Sequence, residues 1–178
     1  GKQFHGVMDL RQQRMRVAQV RQHDQRLVAG LSTAAVAYKG KLSDAKEHAQ
    51  ALVNSRGVQR AFLRRDRKKL LAIQRSQKNV VLSLPGDAPV RGLATRTYAV
   101  TSRGRPIGRV TAVLPLSRKL VTALADQAGL TAPLLLGLVR GDELVGAAAT
   151  RRLRSRLPSG LGDVVVGPTA YRVAVAPF

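Results

Sequence analysis

The chain has 178 residues, enough for one proper hydrophobic core, and 44% of them are hydrophobic, which excludes a disordered basic tail. It has no cysteine, so disulfides, thiol catalysis and Cys-based zinc sites are excluded. Lys and Arg number 31 against 10 Asp and Glu, a formal charge of +21 that points to a polyanionic partner unless the arginines are solvated helix faces.

No apolar run approaches the roughly 18 residues that a membrane-spanning helix needs, and there is no signal peptide. The chain begins at Gly1 and ends at Phe178, directly after a predicted strand. Both termini are therefore expected to be cut, with the segment belonging to a longer protein.

From Lys2 to about Asn54 the only helix breakers are Gly6, Gly30 and Gly40. Leu27, Leu31, Ala34, Tyr38, Leu42, Ala45, Ala49 and Leu52 recur at intervals of three and four, an apolar stripe along one long helix. Met8 to Arg26 is more polar, with Met8, Met15, Val17 and Val20 as its apolar positions, and is expected to project into solvent or to pair with a copy of itself.

Gly57 reads as a C-cap, and Val58, Ala61, Phe62, Leu70, Leu71 and Ile73 continue a helical pattern through a basic run from Arg60 to Arg75, with a short turn near Asp66. Asn79 to Leu84 is a buried strand, and Pro85-Gly86-Asp87 is a turn. Thr95 to Thr101 and Ile107 to Leu114 form a hairpin about Arg103-Gly104-Arg105-Pro106. Ser117 caps a helix carrying Leu120, Val121 and Leu124, which Gly129 terminates. Leu134 to Val139 and Leu144 to Ala149 form a second hairpin, Arg151 to Gly162 a basic loop, and Val164 to Val166 with Tyr171 to Ala176 a third hairpin.

This order predicts an α+β fold: an antiparallel sheet of about five or six strands packed against a long N-terminal helix and shorter helices. The expected organisation is a helix over residues 1–54 and a core over 55–178, together one domain. Alternation along the strands places Ala99, Ala112, Gly137, Ala174 and Ala176 on a small-residue face against the helix. The opposite face then carries Arg96, Tyr98, Ile107, Arg109, Thr111, Leu136, Tyr171 and Val173, polar groups converging on an apolar floor. The competing expectation is a half-exposed face whose Arg and Tyr stems cover Val and Leu.

The run RPIGRVTAVLPLSRKLVTAL resembles the strand–Pro–helix unit of Cache-type extracytoplasmic sensor domains, which are PAS-like sheets in bacterial transmembrane receptors. The matching positions are Gly104, Ile107, Gly108, Val110, Pro115 and Leu116. AQALVNSRGVQRAFLRRDRKKL resembles the family's second-helix region, and GPTAYRVAVAPF its last strand. The resemblance implies an extracytoplasmic sensor domain of a histidine kinase, diguanylate cyclase or chemoreceptor, anchored in a membrane and dimerising through the long helix. A small anionic ligand would be held by Arg96, Tyr98, Arg109, Thr111 and Tyr171, or the signal would pass through dimer packing alone. The short Pro/Gly linker between Leu84 and Leu93 departs from ligand-binding members, which place pocket-forming elements there.

His5, His23 and His48 are too far apart along the helix to share a metal, Asp142-Glu143 sits in a turn, and no serine has an identifiable base. No catalytic residue, metal or cofactor is expected, and no enzyme activity. The alternative function is a basic nucleic-acid-binding domain using the runs Arg60 to Arg75 and Arg151 to Arg156. Few aromatics and no recognisable DNA-binding motif weigh against it.

Overall fold

The computed structural model describes residues 10–132 and 134–177, with side chains from residue 21 onward. The expected role of Met8 lies outside the described residues, as do the side chains of Met15, Val17 and Val20.

Helix α1 (Leu10–Val53) is one unbroken run of 44 residues, about 66 Å long at 1.5 Å per residue. Its stripe behaves as the spacing requires: Ala34, Tyr38, Ala45, Ala49 and Leu52 are buried, while the residues between them are largely exposed. The chain divides into two compact units, and α1 contributes to both. Its residues up to Tyr38 belong with the chain from Ser117 onward, and its residues from Lys39 belong with the chain as far as Leu116.

In the Lys39–Leu116 unit, α1 gives way to α2 (Arg56–Leu63) and α3 (Arg67–Ser76). Ser55 N-caps α2 through Val58 N–H, so Gly57 lies in the first turn of α2 and is not the C-cap that its composition suggested. Asp66 caps α3 by accepting from Lys69 N–H at 3.0 Å. Strands β1 (Val80–Ser83), β2 (Ala94–Ser102) and β3 (Arg105–Leu114) form an antiparallel sheet in the order β1-β3-β2. Its inner face, with Val80, Leu82, Val100, Val110 and Ala112, packs in one core with Ala45, Ala49, Leu52, Val58, Ala61, Phe62 and Leu70. Burial of Phe62 contributes roughly 1.5–3 kcal/mol by transfer alone. Its ring lies so close to Gly108 that an added Cβ would stand 2.2 Å from Cδ1.

Because β1 and β2 flank β3 and both run antiparallel to it, the link from Leu84 to Leu93 must cross the sheet. It passes over the outer face of β3. Leu93 N–H donates to Leu114 O at 2.7 Å, and Arg109 Nη2 donates to Asp87 O at 2.8 Å. A Cβ on Gly92 would meet Val113 Cγ2 at 2.5 Å and Leu114 O at 2.9 Å, so this crossing is open to glycine alone. The strap explains why Ser83, Thr111 and Val113 are buried on the face away from the helices.

The other unit contains α4 (Arg118–Gln127), capped by Ser117, which accepts from Leu120 N–H at 3.2 Å. Leu120, Val121 and Leu124 are buried at the expected spacing, and α4 packs on β5. Strands β4 (Gly137–Arg140), β5 (Glu143–Gly146) and β6 (Thr150–Arg152) form a second antiparallel sheet. Strands β7 (Gly160–Val166) and β8 (Thr169–Val175) form a separate two-stranded hairpin. On α1, Gly30 admits Leu130, whose Cδ2 would stand 2.7 Å from an added Cβ.

The fold is thus α+β with a long N-terminal helix, but the expected single PAS-like sheet of five or six strands is not formed. Three small antiparallel sheets take its place. One reason lies in the segment expected to be a basic loop. Its first residues, with Thr150, form β6 and pair with the edge of β5, through Val145↔Thr150 and Leu144↔Arg151.

Candidate functional site

Of the five residues expected to form a ligand face, the four in the Lys39–Leu116 unit are not gathered on one face of the sheet. Register decides this. The hairpin closes with Ser102↔Arg105 and Thr101↔Pro106, but the next pair is Val100↔Gly108, leaving Ile107 as a bulge. One extra residue inverts the facing of everything beyond it. Without the bulge, Tyr98 would stand opposite Arg109 and Arg96 opposite Thr111. With it, Tyr98 pairs with Val110 and Arg96 with Ala112 on the core side, whereas Arg109 pairs with Ala99 and Thr111 with Thr97 on the outer side. The small-residue face is split in the same way, since Ala99 and Ala112 point oppositely.

Each of the five has a definite setting. Arg96 is exposed on the edge strand β2, and Tyr98 is half-buried beside the core. Thr111 is buried and shares a hydrogen bond of 3.1 Å with Thr97 across the outer face. Arg109 is committed to the strap through Asp87 O. Tyr171 is half-buried on β8, paired with Val164, in the other unit.

Asp87 organises the strap. Its carboxylate accepts from Arg67 at 2.8 and 3.3 Å and from Leu84 N–H at 2.8 Å. Arg67 chiefly, then the Leu84 amide, hold the Asp87 carboxyl below its ordinary range, and the same pairing raises Arg67. The cation expected to be free for a ligand, Arg109, is therefore half of a local device that ties loop to sheet.

A second charged cluster joins α1 to β8. Arg172 donates from Nε to Asp24 Oδ1 and from Nη2 to Asp24 Oδ2, both at 3.0 Å, and its Nη1 stands 3.5 Å from Asp163. A two-point guanidinium–carboxylate clamp of this kind fixes orientation as well as distance. The Arg172 hydrogen bond, aided by the charges of Arg172 and His23, lowers the Asp24 carboxyl against the opposing effect of burial. The neighbouring His23 has a buried Nε2 with no hydrogen-bond partner among the described residues. Beside the clamp an open groove of about 460 Å³ runs between α1 and β7, lined by Asp24, Gln25, Val28, Ala29, Ser32 and Leu161. Sequence reasoning missed this cluster because its two ends are 148 residues apart and neither stands in a motif.

The third feature is electrostatic. From Arg56 to Lys78 there are nine cationic residues and one carboxylate, Asp66, and all nine cations are exposed. Arg67 is paired with Asp87, and Asp66 is occupied as the cap of α3. No ion pair is made by the other eight among the described residues.

Among the described residues no three His, Asp or Glu side chains are grouped so as to hold a metal ion, and no helix is long and apolar enough to cross a membrane. No family model, curated protein or solved structure matches the chain.

Proposed function

We propose that the chain is an extracytoplasmic module of a membrane-anchored bacterial signalling protein, of the kind the Cache resemblance implies, acting as a relay through α1. The observation that carries this reading is that a single 44-residue helix is an element of both compact units. A rearrangement in either unit acts on a helix against which the other unit also packs, which is the physical requirement for coupling. The Asp24–Arg172 clamp supports it by fastening β8 to that helix.

Of the two modes expected from sequence, detection of an anion on the sheet and relay through dimer packing, the second is favoured, with α1 as the relaying element. The outer-face cation Arg109 is already engaged, and the strap covers the strand beside it. In this reading the chain dimerises through α1, where Val28 and Val36 are 48% and 69% exposed. Light scattering on the purified chain should then give about twice 19.2 kDa. The test of anchoring is alkaline extraction of membranes from cells making the full natural gene product. Retention in the membrane pellet is expected, and recovery in the soluble fraction would contradict the proposal.

A further inference from the structure

We propose that the exposed surface of α2 and α3 is a docking site for a linear phosphodiester polymer, read through its backbone charge and not through any base or sugar. The inference is independent of membrane anchoring.

Three observations converge. The first is charge complementarity: Arg56, Arg60, Arg64, Arg65, Lys68, Lys69, Arg75 and Lys78 are exposed and make no ion pair among the described residues. Like charges so crowded repel one another, so the folded surface gains when an external polyanion supplies the missing counter-charge.

The second is spacing. Arg56, Arg60 and Arg64 recur at i, i+4 and i+8, which puts them in a row at intervals of about 5–6 Å along one side of α2. On α3 the unpaired cations Lys68 and Arg75 stand seven residues apart, two turns along one side of the helix. A row of single cations suits a flexible chain bearing one negative charge per repeat unit.

The third is the junction between the helices. Asp66 N–H donates to Ala61 O and Arg65 N–H to Phe62 O, the hydrogen-bond pattern of a helix end that needs a left-handed residue, and Arg65 has φ 51°. Glycine is the favoured residue there, and the equivalent turn after α4 has it, as Gly129. At the α2–α3 junction the backbone tolerates strain, and an arginine stands in the middle of the cationic surface.

Surface aromatics that could stack on bases are missing from these helices, since Phe62 is their one aromatic residue and is 1% exposed. A bilayer is the less favoured partner. Leu63 and Leu71 are exposed, but Phe62 and Leu70 beside them are buried, which leaves no continuous strip of large apolar side chains to insert.

The test is binding of the whole chain to a fluorescent oligo(dT) and to poly(glycerol phosphate), by anisotropy from 50 to 200 mM salt. With six phosphates neutralised and a slope near −0.7 per contact, affinity for oligo(dT) should fall roughly 300-fold across that range. The variant R60Q/R64Q/K68Q should fall only about 20-fold, having lost three contacts. R151Q/R154Q/R156Q, with equal charge loss elsewhere, should keep the parent slope, as should L63S/L71S. Equal weakening by both triple variants would overturn the proposal, because net charge alone would then explain binding. So would binding to oligo(dT) without binding to poly(glycerol phosphate), or preference for anionic vesicles that is lost in L63S/L71S.

Discussion

Replacing Gly108 by alanine puts a methyl group where the Phe62 ring already is. The added Cβ would lie 2.2 and 2.3 Å from Cδ1 and Cε1, against the 3.5–4.0 Å at which carbon atoms normally rest. Gly108 does not have the positive φ that would make any side chain costly, so the penalty is one of space. The ring must retreat by more than an ångström inside a core where it is 1% exposed. Overpacking of that kind costs roughly 1–3 kcal/mol. Phe62→Ala alone should cost about 3–5 kcal/mol. In the F62A background, however, the new methyl enters vacated space, so G108A should cost close to nothing. Urea denaturation followed by circular dichroism on the two single variants and the double variant closes the cycle. A coupling of about 1–3 kcal/mol is expected, and costs additive to within about 0.5 kcal/mol would refute the packing argument.

Gly92→Ala tests the strap by the same method. Its Cβ meets the backbone oxygen of Leu114 as well as the side chain of Val113, so trimming Val113 to alanine should fail to rescue it. Full rescue by V113A would show that the strap can move. Ser117→Ala should lower stability by about 1 kcal/mol through loss of the α4 cap, measured as a shift in urea midpoint. Asp24 has its carboxyl lowered by Arg172, so its contribution is complete above the ordinary carboxylate value of about 4 and is lost as pH falls through the folded value. D24N should therefore be less stable than the parent at pH near 7, by under about 1 kcal/mol because water reaches the pair. The gap should narrow as pH falls below about 4, and an unchanged gap down through the folded value would contradict the assignment.

Elements were more legible in this sequence than their pairings. The stripe from Ala34 to Leu52, the Ser117 cap and the hairpin turn at Gly104 each follow from local chemistry, and each stands as expected. Faces were not legible, because parity along β2 turns on a single bulged residue, Ile107, which no local signal marks. The Arg109 and Thr111 side was read as open because nothing near them in sequence reveals that Asp87 and Gly92 cross over it. The same holds for the sheets. Three arginine-rich residues, Thr150–Arg152, carry no apolar alternation, yet β5 offers a free edge and they pair with it. The cationic run of α2 and α3 was visible from composition, whereas the strained Arg65 was visible only from the backbone.

The chain's lack of cysteine makes the central claim directly measurable. Ser43 is exposed on α1, so labelling of the full natural gene product carrying Ser43→Cys, in excess of the same product without the substitution, reports this position alone. Intact cells are treated with a membrane-impermeant maleimide and compared with lysed cells. An extracytoplasmic relay module predicts equal labelling before and after lysis. Labelling that appears only after lysis would place the chain inside the cytoplasm and contradict the account.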